Sequence, residues 1–475
     1  MSELFQATIV PTSFDELTQQ LTPFGQQHLL RFWGELDEAG RQRLAAQLRR
    51  IDFPSLALLG RAASAGDDWS ALALCAVPPQ AVRLNAAANK VSEAQARAAG
   101  EQALRNGEVG AILVAGGQGT RLGFDHPKGM YQIGPVSKAS LFQILFERLL
   151  AVGRRYGASI PLYLMTSDAT NDPTQTYLHE QSHFGLPTDD VRLFCQGVMP
   201  AVDAASGQVL LAGKGELALS PDGHGGMLAA LARTGNLADM QTRGLKHLFY
   251  FQVDNPLAPV CDPVFLGHHI LARSELSTLA VAKREALERV GNIVEIDGRT
   301  RIIEYSDLPE AAAKQCNVDG SLRLWAGNTA IHVFDFEFLR RTSGDQAALP
   351  FHIAKKKVPF INEQGQTIEP TSPNAVKYER FIFDLLPLAN RALVVEADAA
   401  ESFAPVKNAP GEQKDSPETC QRAMMALHRQ WLAHAGAKIA ADVTVEISPL
   451  FALDAEEIAT KVKPGTAIAA ATYLR

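Results

Sequence analysis

A short, uninterrupted apolar run, Val109 to Val114, ends abruptly in Ala115, Gly116 and Gly117. Too short for a core helix and rich in branched side chains, it predicts a strand buried on both faces, as in a parallel sheet. Further strands are expected at 161–167, 191–197, 247–255 and 276–283, with helical patterns between several of them. Such alternation predicts an α/β fold whose mainly parallel sheet is covered on both faces. Asp297-Gly298, between two alternating runs in 292–306, predicts an antiparallel hairpin beside that sheet.

Before the sheet, Leu29, Phe32, Trp33 and Leu36 recur at helical spacing, and so do Leu44, Leu48 and Ile51. With the Ala-rich stretch 86–104 they give a helical N-terminal region over 1–100. The catalytic domain is expected over 101–395 and a small C-terminal domain over 396–475. Residues 408–419 read as a polar surface loop before a helix.

A formal net charge of −7 excludes a broad basic face for nucleic acid, so any phosphate site must be local. The five cysteines are scattered and form no C-x-x-C pair, which fits a reducing cytoplasm. No secretory leader pattern opens the sequence and no apolar run is long enough to span a membrane. No oligomeric state follows.

In open α/β sheets ligands bind beyond the carboxyl ends of strands, where backbone N–H groups can face anions. Gly116, Gly117 and Gly119 occupy that place, with Arg121 and Lys128 close behind. The loop is not G-x-x-x-x-G-K-[ST], and its third glycine, Gly123, comes one residue late for a dinucleotide fingerprint. Residue types alone leave two readings, an anion cradle or a tight turn with surface charges. Asp254, ending another apolar strand, could hold Mg²⁺ or merely cap a turn. His179 and His183 satisfy H-E-x-x-H, but with no third ligand nearby the match is taken as chance. His268 and His269 read as ordinary helix surface.

The stretch "LVAGGQGTRLGFDHPKGMY" resembles the activation loop of nucleotide-sugar pyrophosphorylases, in the form seen in eukaryotic-type UDP-N-acetylhexosamine pyrophosphorylases. The resemblance continues in order through "FCQGVMPAVD", "SPDGHGGMLAAL", "QVDNPL", "IIEYSD", "WAGNTAIHVF", "PNAVKYERFIFDLL" and "FAPVKNAPGEQKDSP". It implies a Rossmann-like nucleotidyltransferase core in which a sugar 1-phosphate attacks UTP and releases pyrophosphate. It further implies that Val114, Ala115, Gly116 and Gly117 cradle the nucleotide, with Arg121 and Lys128 on its phosphates. By the same resemblance Asp254 binds Mg²⁺ and nucleotide, Gln196 reads uracil, and Gly223 and Lys377 contact UTP. Glu304 and Asn328 would meet sugar hydroxyls, and Lys407 the sugar phosphate.

At His224 the pattern departs, because N-acetylhexosamine enzymes carry asparagine there and UDP-glucose and broad-specificity enzymes carry histidine. Gly226 and the small pair Ala326-Gly327 instead resemble the N-acetylhexosamine kind. The resemblance thus implies N-acetylglucosamine 1-phosphate, contacted by His224 among others. The alternative is a UDP-glucose or broad UDP-sugar pyrophosphorylase; a non-catalytic nucleotide-sugar binding protein is the reading from a different class.

Overall fold

The computed structural model describes residues 13–62, 69–345 and 348–475. Residues 1–12, on which the expectation about a leader falls, lie outside them. Two compact units share the chain, interleaved rather than sequential. One comprises the described residues of Met1–Asp67, Gly197–Gly226 and Leu349–Phe381; the other comprises those of Asp68–Gln196, Met227–Ala348 and Ile382–Arg475.

The larger unit is built on a ten-stranded sheet. Its strands are β1 (Ala81–Val82), β2 (Val109–Val114), β3 (Leu162–Thr166), β4 (Val191–Cys195), β5 (His247–Gln252), β6 (Leu276–Ala282), β7 (Asn292–Ile296), β8 (Arg299–Ile303), β9 (Ala326–Asp335) and β10 (Ala392–Ala397). The order is β1-β10-β6-β9-β5-β2-β3-β4, with the β7–β8 hairpin joined to β9 through Asn292 and Gly327. Along that path only β9 runs antiparallel to its neighbours. The hairpin turns at Asp297 (φ 51°) and Gly298 (φ 71°), the left-handed pair that a two-residue connection of this hand requires.

Helices cover the sheet where local signals allow them. Ser92 and Gln95 form a reciprocal cap on Glu93–Arg105, and Ser140 caps Leu141–Tyr156, which stops at left-handed Gly157. Leu141, Leu145, Leu149 and Val152 put one stripe of that helix into the core with Leu113, Leu164 and Phe251. Each such leucine contributes about 1.5–3 kcal/mol by leaving water. The long helix Pro417–His434 and the parallel pair Val445–Ile447 and Thr472–Leu474 join the same core through Leu427, Leu432, Val445 and Ile447.

In the smaller unit, helices Phe14–Leu21 and Glu38–Arg49 pack Leu17, Leu21, Leu44 and Leu48 against Val202, Leu217 and Tyr378. Its three-stranded sheet orders His352–Lys356, Ala375–Glu379 and Val202–Asp203, all antiparallel.

Two sequence expectations are corrected, and the reading of H-E-x-x-H as a chance match agrees with the backbone. Leu29 to Leu36 do not share one helix: the segment breaks into 3₁₀ turns, Gln27–Leu30 and Trp33–Glu35. The helix holding His179 ends at Glu180, and Ser182, His183 and Phe184 turn left-handed at φ 47–50°, so the two histidines never share a helix face. His268 and His269 are 5% and 1% exposed rather than on the surface, and His269 Nδ1 lies 2.8 Å from Ser277 Oγ. The apolar face of Pro263–Leu271 extends around the helix and takes both rings inside.

Candidate active site

Parallel neighbours deliver their carboxyl ends to one edge of a sheet, and the register here aligns four of them. Gln252 pairs with Val114, Val114 with Met165, and Thr166 with Cys195. Backbone hydrogen bonds continue past the strands: Val253 N to Val114 O, Ala115 N to Met165 O, and Gln196 N to Thr166 O, at 2.8–3.0 Å. Asp254, the glycine loop and Gln196 therefore stand along the carboxyl edge of β5, β2, β3 and β4. Buried Gln196 brings its amide nitrogen to within 3.0 Å of where a Cβ on Gly116 would sit. Alanine at 116 would push that amide away.

The loop itself is held at many points. Ser167 Oγ donates to Gly116 O at 2.8 Å, Lys128 N to Gly117 O at 3.0 Å and Gly119 N to His126 O at 2.9 Å. Gly119 is glycine because a Cβ would meet Phe124 O at 2.7 Å. Gly117 is different. A Cβ there meets nothing within 4 Å, and its φ is not left-handed. Neither packing nor backbone geometry asks for glycine at 117, and the space beside it is open.

Charge converges on the same place. Lys128 Nζ donates to Val406 O at 3.1 Å, and Val406 N donates to Asp254 O at 2.8 Å, tying Lys128, Asp254 and the segment before Lys407 together. Burial pushes Lys128 below the usual lysine range; the Asp254 carboxylate opposes that shift, and the positive charges of Lys407 and Arg121 add to it. Arg121 is exposed, and neither it nor Asp254 forms a side-chain hydrogen bond or salt bridge among the described residues. Lys407 places its Nζ 5.9 Å from the Phe403 ring centroid. Three cations and one carboxylate, none of them in a salt bridge among the described residues, are an arrangement suited to a polyanion.

Further along this edge, β9 pairs Ala326 with Ala282 at the end of β6. Asn328 N donates to Gly291 O at 2.8 Å, and Asn328 Oδ1 accepts from Ala330 N at 3.0 Å. Gly291, which the sequence reading passed over, is where Glu304 and Asn328 meet: a Cβ there would lie 3.1 Å from Glu304 Oε1 and 3.5 Å from Asn328 Cβ. Only its place before a β-branched strand marked it in the sequence.

Gly223, His224 and Lys377 belong to the smaller unit. Lys377 lies on the strand Ala375–Glu379, opposite Ala354. Gly223 (φ 84°), Gly225 and Gly226 are crowded: Cβ atoms would come within 2.4 Å of Arg380 O, 2.7 Å of Arg380 C and 1.9 Å of Asp222 Oδ1. These glycines serve internal packing. The His224 ring stacks on Phe381 with centroids 5.3 Å apart and planes 18° apart, and Phe381 lies 4.4 Å from His352. Burial, then the neighbouring His352, pushes the His224 imidazole down to about 4. At neutral pH it is uncharged, hence no cationic partner for a phosphate.

Most of the chain has known relatives. Residues 77–460 match the family model described as UTP–glucose-1-phosphate uridylyltransferase. The chain is 37% identical over 443 residues to the UDP-N-acetylglucosamine pyrophosphorylase of Saccharomyces cerevisiae, covering 89% of this chain and 92% of the yeast protein. It is 35% identical to the human UDP-N-acetylhexosamine pyrophosphorylase-like protein 1, over 90% of this chain and 87% of the human one. Among solved structures, a UDP-N-acetylglucosamine pyrophosphorylase from Trypanosoma brucei superposes with a TM-score of 0.82 at 25% identity, covering 98% and 99% of the two chains. Another, from Entamoeba histolytica, gives 0.77 at 32% identity, covering 84% of this chain and all of the other. The chain belongs to the UTP–glucose-1-phosphate uridylyltransferase family, among its UDP-N-acetylhexosamine pyrophosphorylases.

Proposed function

We propose that this protein makes UDP-N-acetylglucosamine and pyrophosphate from UTP and N-acetylglucosamine 1-phosphate. As a member of its family it is a uridylyltransferase. The observation that carries the assignment of its site is the open space at Gly117 beside Arg121, Lys128, Asp254 and Lys407.

A phosphate oxygen of the sugar phosphate attacks the α-phosphorus of UTP in line, and the bond to the β-phosphate oxygen breaks. That oxygen is already ionised, so positioning and charge neutralisation carry the catalysis and no general base is needed. The backbone of Val114, Ala115, Gly116 and Gly117 with Arg121 holds the departing β- and γ-phosphates. Lys128 neutralises charge at the α-phosphate. Gln196, Gly223 and Lys377 hold the nucleotide, Gln196 through an amide that both donates to and accepts from the pyrimidine edge. Glu304, Asn328 and His224 face the sugar, and Lys407 steadies its phosphate.

The Asp254 carboxylate, with no side-chain partner of its own, fits Mg²⁺, which favours one or two carboxylates plus phosphate and water oxygens. Bound there, Mg²⁺ would supply charge neutralisation to the nucleotide phosphates. The five cysteines are free thiols and no helix among the described residues is long and apolar enough to cross a membrane, which supports a cytoplasmic reaction.

The test incubates the protein with Mg²⁺, UTP and the 1-phosphates of N-acetylglucosamine, N-acetylgalactosamine, glucose and galactose, and follows pyrophosphate release. Fastest release with N-acetylglucosamine 1-phosphate is expected. Preference for glucose 1-phosphate would overturn the sugar assignment, and no release with any sugar would overturn the activity.

A further inference from the structure

Adjacent residues of a strand face opposite sides of its sheet. On β9, Asn328 looks toward Gly291 and Glu304, whereas Gly327 faces Val290 and Lys283. The reverse face carries charged groups for which the proposed reaction has no use. Lys283 follows β6 and is 8% exposed; its ammonium donates one hydrogen bond, 2.6 Å long, to Asn292 Oδ1. It forms no salt bridge among the described residues, although an ammonium has three donors to place. Burial pushes its pKa down, with Glu288 opposing the shift from a distance.

Lys283 lines a pocket of about 480 Å³ together with Arg83, Arg284, Ser321 and Trp325. Arg83 lies 3.7 Å above the Trp325 ring, and this stacking fixes the plane of its guanidinium. The other charges are matched: Arg83 with Glu396, Arg284 with Glu288, and Glu285 with Lys414. Among the described residues, Lys283 is the charged lining group of this pocket without a salt bridge, and Arg83 adds an oriented guanidinium.

We propose that this pocket is a second anion site, separate from the nucleotide and sugar positions, in which Lys283 and Arg83 hold a phosphoryl group. An anion there supplies the counter-charge that Lys283 lacks. It also reaches the sugar side of the sheet. Asn292 Nδ2 donates to Val290 O and Ile303 O, each at 3.3 Å, and these residues immediately precede Gly291 and Glu304. Drawing Lys283 away from Asn292 alters the hydrogen-bond network that positions both. This coupling rests on the sugar assignment above, whereas the anion site does not.

Calorimetric titration of the full chain with inorganic phosphate tests the site, using Arg121→Ala as background to weaken phosphate binding at the glycine loop. Binding is expected to persist in that background. Adding Lys283→Met should weaken it roughly tenfold or more, the effect of removing a charge-assisted hydrogen bond. Arg83→Gln, at a side chain 46% exposed and tolerant of change, should also weaken it and keeps the test valid if Lys283→Met misfolds. A parallel titration with glycerol 3-phosphate separates the sources: tighter binding of the ester means a phosphorylated metabolite, and tighter binding of phosphate means the free ion. No binding in the Arg121→Ala background, or unchanged affinity in the pocket variants, overturns the proposal. Because the readout is heat of binding, its failure leaves uridylyl transfer untouched, and an inactive enzyme leaves the pocket untouched.

Discussion

Two glycine clusters look alike in the sequence, Gly116-Gly117-Gln118-Gly119 and Gly223-His224-Gly225-Gly226, yet the structure uses them differently. In the second, every missing Cβ is filled by Arg380 or Asp222, so each glycine is required for packing. In the first, Gly119 has such a neighbour, Gly116 faces the Gln196 amide, and Gly117 faces open space. The residue type is the same and the selecting force is not. Crowding by the fold's own atoms explains the second cluster and Gly119, whereas at Gly117 those atoms leave open space.

Substitutions at the two clusters should therefore separate activity from stability. The largest effect is expected from Arg121→Ala, beside the open cluster: turnover should fall by about 10²–10³, as when one preorganised charge donor is lost. Its thermal melting should match the parent, and a lowered melting temperature would show that the loop is structural after all. Gly117→Val sharpens the contrast, since its Cβ would enter space with no protein atom within 4 Å. It should cost about a hundredfold in pyrophosphate release by displacing the phosphates, again with unchanged melting.

Gly225→Ala is expected to do the reverse. With a Cβ 2.7 Å from the Arg380 backbone it should destabilise by about 1–3 kcal/mol in chemical denaturation. Near-native stability with lost activity would erase the distinction between the clusters.

The smallest effect concerns pH. His224, inside the second cluster, is neutral in the fold down to about 4, while in the unfolded chain it takes up a proton near 6.5. Below 6.5 the unfolded state binds more protons, so the contribution from a neutral His224 is fully present above that pH. It is lost as pH falls from 6.5 toward about 4, at no more than about 1.4 kcal/mol per unit. His224→Asn should remove this part of the slope between pH 6.5 and 4.5, leaving that of the other histidines whose burial lowers them, His28, His183, His247, His268, His269 and His428. An unchanged slope would mean that the ring titrates freely.

Much of this was legible in local sequence. Val109–Val114 could only be a buried strand, and Asp297-Gly298 supplied the two left-handed positions of its hairpin. Asp254 stands at a strand end because an apolar run stops just before it, whereas Gln196 was marked only by the family resemblance. Their alignment on one edge required β5, β2, β3 and β4 to be neighbours and parallel, which strand periodicity does not encode. The same limit hid the burial of His268 and His269, since a polar ring on an apolar helix is exposed or covered according to what packs against it.

By itself the sequence determined the main strands, the hairpin turn and which loops could face an anion, because those depend on side-chain direction and backbone preference within a few residues. Only the tertiary structure decided that Gly225 is fixed by Arg380, that Lys128 and Asp254 are tied through Val406, and that Lys283 is buried with no salt bridge among the described residues. Each of these joins residues far apart in the chain. Their energies come from contact and desolvation, which exist only once the distant partner has arrived.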